Sequence, residues 1–290
     1  MQGAQNKLFP IKTTVNCGGK LVDLSKPKVM GILNVTPDSF YDGGLYDSES
    51  ALLKQAEKHL AAGASFLDMG AVSTRPRSAE VSIDEELRRL LPALVAVKKA
   101  FPESIISADT FRANVAQEAV AAGADLINDI SGGTMDKSMF DTVAQLRVPY
   151  VMMHIQGTPQ SMQDHPTYVD VVNEVFDFFK VRCAQLRSKG VSDIILDLGF
   201  GFGKTLDHNY ALLNATDRFR ALGYPILSGL SRKSMINKVL GTKADEALNG
   251  TSALNVMALM RGTSILRVHD VKEAMEVIKL HAQLESEMPS

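Results

Sequence analysis

Gly63-Ala-Ser-Phe-Leu-Asp-Met69 sets a short apolar run, Ser65 to Met69, between two segments of helical period. Upstream, Leu52, Leu53, Ala56 and Leu60 recur at the spacing of one helix face, and Gly63 stands where a helix C-cap needs a left-handed residue. Downstream, Ile83, Leu87, Leu90, Leu91 and Leu94 repeat the helical spacing. A strand bracketed by two amphipathic helices belongs to a parallel sheet, because only a crossover helix returns the chain to start the next strand in the same direction.

The same unit recurs along the chain. Runs of strand character lie at Val29 to Leu33, Ser65 to Met69, Ser104 to Ala108, Asp125 to Asn128, Pro149 to Met153, Asp193 to Leu196, Pro225 to Leu227 and Ser264 to Val268, with Gly123 and Gly190 repeating the C-cap role of Gly63. Eight strand-helix units predict an α/β fold of the closed (β/α)8 barrel type. Ahead of them, Thr14 to Asp23 places apolar residues on either side of Gly18-Gly19, the pattern of a hairpin that would cap one end of the barrel. We therefore divide the chain into an N-terminal segment with the hairpin, residues 1–28, and one barrel domain, residues 29–290. No Pro-, Gly- or Ser-rich linker breaks the second part.

Composition narrows the class of partner. The 290 residues accommodate a barrel of ~250 residues. A formal charge of −2 without a large basic cluster argues against duplex nucleic acid or an anionic membrane as ligand, which leaves small molecules. No apolar run approaches the ~18 residues of a membrane span, and the first residues lack a signal-peptide pattern, so a cytoplasmic location is expected. Cys17 and Cys183 have no metal-ligand spacing and read as ordinary thiols.

Polar residues collect at or just after the strand ends: Asn34, Asp68 leading to Thr74 and Arg75, Asp109, Asn128, His154, Asp197, Ser231 to Lys233, Arg267 and His269. Any one of them could be a helix cap or turn former. In a barrel they converge on the C-terminal mouth, where such enzymes keep their active sites. Asp109, Asn128, Asp197 and Lys233 offer the carboxylates, amide and ammonium that would grip the edge of a planar nitrogen heterocycle. Asn34, Thr74, Arg75, Arg267 and His269 are suited to phosphate oxygens, with the Asn34 amide oxygen free for a hard cation such as magnesium.

The run Asp197-Leu-Gly-Phe-Gly-Phe-Gly-Lys-Thr205 lacks the first glycine of a phosphate-binding loop, since Leu198 stands there. Its glycines are expected to let backbone approach a ligand, with Phe200 or Phe202 as an apolar wall. No Gly-x-Ser-x-Gly elbow surrounds the serines of 228–234. His59 and His281 are expected on helix surfaces and His208 at a helix start. Of the methionines, Met152 and Met153 are best placed to touch a ligand. The segments 34–44 and 73–76 look too specific to be plain connectors and read as lids.

Together these stretches resemble the dihydropteroate synthase family of pterin-binding enzymes from about Met30 to Val271. The matching segments are MGILNVTPDSFYDGG from Met30, STRP from Ser73, AEVS from Ala79, DT from Asp109, NDISGG from Asn128, MMHIQGTP from Met152, LDLGFGFGK from Leu196, SRKSMI from Ser231 and RVHD from Arg267. The resemblance implies joining of hydroxymethyl-dihydropterin pyrophosphate to p-aminobenzoate, with magnesium as cofactor and a homodimeric assembly. It implies pterin binding by Asp109, Asn128, Asp197 and Lys233, with Met152 or Met153 and Arg267 on the ring faces. Asn34 would ligate magnesium, and Thr74, Arg75, Arg267 and His269 would hold pyrophosphate. Phe40, Pro76, Phe202, Lys233 and Ser234 would line the p-aminobenzoate pocket, and Asp42 would help order the closed site. Lys233, Arg267, His269 and Asp42 are thereby the expected catalytic set.

Three departures from the family pattern fall on loops: Leu198 where Pro is usual, Ala71-Val72 in place of Gly-Gly or Gly-Glu, and Arg77 in place of Gly. A pterin-dependent methyltransferase would share the barrel and the Asp and Asn ligands but has no use for the cationic set. A non-catalytic pterin binder would not need Lys233, Asn34 and the first-loop motif together.

Overall fold

The computed structural model describes residues 11–35, 45–73 and 81–286. Strands β1 (Thr14–Cys17) and β2 (Lys20–Asp23) form an antiparallel pair. The next eight, β3 (Lys28–Asn34), β4 (Phe66–Gly70), β5 (Ile106–Asp109), β6 (Leu126–Asp129), β7 (Tyr150–Met153), β8 (Ile194–Asp197), β9 (Ile226–Ser228) and β10 (Ile265–Val268), close into a parallel barrel in chain order, with β10 beside β3. Around it run α1 (Leu45–Ala61), α2 (Ile83–Ala100), α3 (Ala113–Ala121), α4 (Met139–Leu146), α5 (Val171–Ser188), α6 (Leu206–Asn214), α7 (Ser234–Leu240), α8 (Leu248–Met260) and α9 (Val271–Ser286).

These are the strands that the periodicity predicts. All but the first begin one or two residues later than the apolar runs do, because each run opens on Ser, Asp or Pro. Pro149 and Pro225 have no N–H to give a ladder. The hairpin also forms as expected, turning at Gly18 (φ 59°) and Gly19 (φ 91°), where both central residues need positive φ.

The two-residue repeat of a strand sorts side chains between the barrel interior and the helical shell. Met30, Phe66, Leu126, Val151, Ile195, Leu227 and Ile265 point inward and pack on Val15, Cys17, Val22 and Leu24 of the hairpin segment. The hairpin thus plugs the N-terminal end of the barrel. Two residues further along the same inward faces come Asp68, Asn128, Met153, Asp197 and Arg267. A dry floor beneath therefore carries polar groups at the opposite mouth. The outward residues, among them Leu67, Met69, Ile127, Met152 and Leu196, join Leu90, Leu94, Val143, Val175 and Phe179 of the helices in a second apolar layer.

Two histidines expected on the surface are buried. His59 is 2% exposed, and its Nε2 lies 3.1 Å from the Ile32 carbonyl and 3.0 Å from Gln55 Nε2. It continues the apolar stripe of Leu52 and Ala56, and Gly31 leaves room for it, since a Cβ there would stand 3.0 Å from the ring. Burial holds its pKa below the usual value. His281 likewise shares the inner face of α9 with Ala274, Val277 and Ile278. His208 falls in the first turn of α6, in a capping box with Thr205.

Phe66 is fully buried where the hairpin meets the barrel floor. Phe66→Ala should cost about 3–5 kcal/mol of stability, measured as a lower urea midpoint at unchanged slope; a midpoint like that of the parent would contradict the plugged-barrel packing.

Candidate active site

Arg267, on the inner face of β10, sits at the centre of the polar mouth. Its Nε donates to Asp68 Oδ2 at 2.6 Å and its Nη2 to Asp109 Oδ2 at 2.9 Å. Asn128 Nδ2 approaches both Asp68 oxygens, at 3.3 and 3.1 Å. Strands β10, β4, β5 and β6 are tied together by these contacts. Burial opposes the charge on Arg267, but Asp68 and Asp109 more than offset it, so the guanidinium is held more firmly protonated than usual. Burial, and then repulsion from Asp68, push the Asp109 carboxyl above the usual range, with Arg267 pulling the other way.

Across the mouth, Asp197 ends β8 and accepts from the Gly199 backbone N–H at 2.8 Å. Burial raises its pKa against the pull of that hydrogen bond and of Lys233, Arg267 and Lys204. Lys233 stands at the N-cap position of α7, with its Nζ 4.2 Å from the centroid of the Phe202 ring. Burial and Arg267 bring its pKa down to about 8. Ser231 Oγ lies 3.0 Å from His269 Nδ1 and accepts from the His269 N–H at 3.2 Å. Two hydrogen bonds from Arg232 to Asp270, at 3.0 and 2.7 Å, lock the segments after β9 and β10 to each other. Burial, then Arg267 and Arg232, lower the His269 pKa to about 4, so its imidazole is neutral near pH 7.

The structure brings together Asp109, Asn128, Asp197, Lys233, Arg267 and His269. Asn34 is exposed at the C-terminal end of β3, which neighbours both β10 and β4, and Ser234 is exposed in the first turn of α7. Met152 is corrected. It is fully buried in the layer between barrel and helices, whereas Met153 turns inward and packs with Ile130, Ile155 and Met162, beside Phe202. One step along a strand reverses the face. Phe40, Asp42, Thr74, Arg75, Pro76 and Arg77 lie outside the described residues.

The glycine-rich loop also departs from expectation. Gly199 (φ 69°) and Gly203 (φ 62°) let it press on the chain's own backbone, since a Cβ would stand 1.9 Å from the His154 carbonyl oxygen at the first and 2.3 Å from that of Gln156 at the second. Phe200 is buried in the core and Phe202 alone of the pair reaches the mouth. Asp68 stood among the polar strand-end residues expected at the mouth but without a binding role, although its spacing from Phe66 places it inside. Lys204 was missing altogether, and nothing in the local sequence marks it.

Comparison with known proteins now bears on this geometry. The Pterin binding enzyme family matches residues 30–269. The chain belongs to this family, among the dihydropteroate synthases. It is 44% identical over 263 residues to the dihydropteroate synthase of Haemophilus influenzae, covering 90% of this chain and 95% of that protein. Two solved dihydropteroate synthases superpose closely. The Yersinia pestis protein, in a sulfonamide drug complex, matches at a TM-score of 0.88 and 40% identity, covering 94% of this chain and 99% of that one. The Xanthomonas albilineans protein, with 4-aminobenzoic acid, matches at 0.87 and 38%, covering 96% and 99%. All six residues gathered at the mouth lie within the span that the family matches.

Removing Arg267 from this dihydropteroate synthase strips two buried carboxylates of their countercharge. Arg267→Met should cost about 3–5 kcal/mol at pH 8. The cost should shrink at pH 5: the Asp109 carboxyl has a raised pKa in the folded state, so the folded variant takes up a proton that the unfolded chain does not, and loses stability as pH rises. Urea unfolding at the two pH values checks this; an equal loss at both would contradict it.

Proposed function

We propose that this dihydropteroate synthase divides its reaction between two halves of the barrel mouth, with Arg267 at the seam. The observation that carries this reading is the Arg267 guanidinium itself, bound to Asp68 and Asp109 on one side and adjacent in the chain to the His269 segment on the other. On the first side Asp109, Asn128 and Asp197 accept from, or donate to, the pterin edge, Lys233 donates to its oxygen, and Met153 rather than Met152 packs on a ring face. On the second, Asn34, Thr74, Arg75, Arg267 and His269 hold the pyrophosphate. Phe40, Pro76, Phe202, Lys233 and Ser234 form the p-aminobenzoate pocket, and Asp42 helps order it.

The bond from the pterin methylene carbon to the pyrophosphate oxygen breaks, the ring spreads the positive charge, and the arylamine nitrogen bonds to that carbon and releases a proton. An arylamine is already a nucleophile, so position rather than a general base is what the residues supply. Arg267 and His269 stabilise the leaving group electrostatically. A neutral imidazole donates a hydrogen bond without adding a buried charge.

Magnesium fits this donor set in a limited way. Among the described residues no cluster of three His, Cys, Asp or Glu could hold a metal, and Asn34 brings one exposed amide oxygen. That suits an ion carried mainly by phosphate oxygens and water, as magnesium commonly is. Bound there, it would neutralise charge on the pyrophosphate.

We also propose a homodimer built on the α7–α9 side, where Val239, Leu240, Met257, Met260, Leu280 and Leu284 are all about half exposed or more. Leu280→Glu with Met257→Glu should shift the protein to monomer in light scattering; a monomeric parent would contradict the assembly. No helix among the described residues is long and apolar enough to cross a membrane, and the free buried thiols of Cys17 and Cys183 suit a reducing cytoplasm.

The folded chain, given dihydropterin pyrophosphate, p-aminobenzoate and magnesium, should release pyrophosphate and form dihydropteroate only when p-aminobenzoate is present. Chelation of magnesium should abolish turnover and its return restore it. No p-aminobenzoate-dependent product would overturn the reading.

Lys233 donates more strongly as an ammonium than as a neutral amine. Because its pKa in the free protein is about 8, kcat/KM for the pterin substrate should fall as pH rises through that value. Lys233→Met should weaken pterin binding at least about tenfold without unfolding the protein. Unchanged affinity would remove Lys233 from the site.

A further inference from the structure

Lys204 ends the glycine-rich loop and is 3% exposed. Its Nζ lies 2.9 Å from the Gly199 carbonyl oxygen and 3.0 Å from that of Phe202, both in its own loop, and 3.2 Å from the His154 carbonyl oxygen and 3.0 Å from His154 Nδ1 just after the neighbouring strand β7. Three ammonium protons thus face four acceptors, and none is left to reach a substrate. His154 is buried, and burial followed by the Lys204 charge drives its pKa down to about 2, so the ring is neutral, and its Nδ1 accepts from Lys204 in the tautomer that carries the proton on Nε2. Its ring is fixed edge-on to Phe178 at 4.9 Å.

The loop closed in this way has two duties at the mouth. The Gly199 N–H holds Asp197, and Phe202 carries the ring over which the Lys233 ammonium sits. Gly201 leaves space for the Lys233 stem, since a Cβ there would stand 3.3 Å from its Cδ. Other ties are fewer: Tyr168 Oη donates to the Gly203 carbonyl at 2.8 Å, Gln163 Nε2 to that of Gly201 at 2.6 Å, and the Gly201 N–H to Asn209 Oδ1 at 2.6 Å. Lys204 is the contact that binds the loop to the end of β7 from inside.

We propose that Lys204 is a positioning residue for the second substrate: its ammonium staples the 199–203 loop to His154 and so fixes the Phe202 ring and the Lys233 side chain facing it. The inference rests on the reading that Phe202 and Lys233 line the p-aminobenzoate pocket. Asp109 and Asn128 belong to other strands and do not touch the loop, so that part of the pterin grip is spared; Asp197 and Lys233, which the loop does hold, carry a smaller share of the loss to the pterin side. A loosened staple acts on one substrate more than on the other.

The test is steady-state kinetics on the full chain with both substrates varied, together with urea unfolding. Lys204→Met should raise KM for p-aminobenzoate about tenfold and KM for dihydropterin pyrophosphate clearly less, by no more than about threefold, because Asp197 and Lys233 are held by the loop while Asp109 and Asn128 are not. Tyr168→Phe, which cuts a neighbouring tie with little risk to folding, should raise KM for p-aminobenzoate in the same selective way by about fivefold. Phe202→Ala serves as the reference for the pocket. If Phe202→Ala leaves KM for p-aminobenzoate unchanged, the pocket reading fails. If Phe202→Ala raises it but Lys204→Met and Tyr168→Phe raise neither KM, or raise both alike, the positioning role of Lys204 is overturned. Should Lys204→Met not fold, the selectivity of Tyr168→Phe decides the matter.

Discussion

The buried bridge from Arg267 to Asp68 and Asp109 is the interaction on which the mouth of this barrel depends. Two carboxylates on neighbouring strands repel each other and resist burial, and neither strand alone can neutralise them. One guanidinium, arriving from β10 with its fork of donors, meets both and leaves Asn128 oriented by the same Asp68 carboxylate. The strands are held by their backbone ladders, but the polar ends would not converge without this charge. Burial and the neighbouring Asp68 keep the Asp109 pKa raised against the pull of this bridge.

Everything else at the mouth is positioned by contacts between loops. Arg232 and Asp270 join the ends of β9 and β10, and Ser231 aligns His269 through two hydrogen bonds. The glycine-rich loop is shaped by the backbone of 154–156, against which Gly199 and Gly203 lie too close for any side chain. Beneath, the hairpin plug and the ring of inward apolar side chains keep water out of the floor. The division between a rigid polar mouth and a dry floor follows from a two-residue repeat that switches from apolar to polar near the end of each strand.

Much of this was legible in the sequence. Apolar runs between helical periods predict the strands of the barrel, and Gly18-Gly19 predicts the hairpin, because both signals are local. The same logic contained Asp68 and His59: Asp68 lies two residues beyond Phe66 on one strand face, and His59 three residues beyond Ala56 on one helix face. Taking residues at and after strand ends as the site, without carrying the inward phase through each strand, left the first without a role and Met152 undistinguished from Met153. Lys204 was not legible. Its partners on β7 lie about fifty residues away in the chain, and a lysine in a glycine-rich run offers no local sign that it will be buried. The fit of the loop against His154 and Gln156 is likewise a long-range packing fact. Phe40, Asp42 and Pro76 stand on the family pattern alone, and Thr74 and Arg75 on that pattern together with the phosphate-binding chemistry of their side chains.

The division of the mouth into two half-sites is tested most directly by calorimetric titration of two ligands, the dihydropterin without its pyrophosphate and inorganic pyrophosphate with magnesium, into Asn128→Ala and His269→Ala. Asn128→Ala should lose dihydropterin binding and keep pyrophosphate binding, and His269→Ala should do the reverse. If either variant, while folded, loses both ligands to the same extent, the two halves are not separate and the account of Arg267 as their seam is wrong.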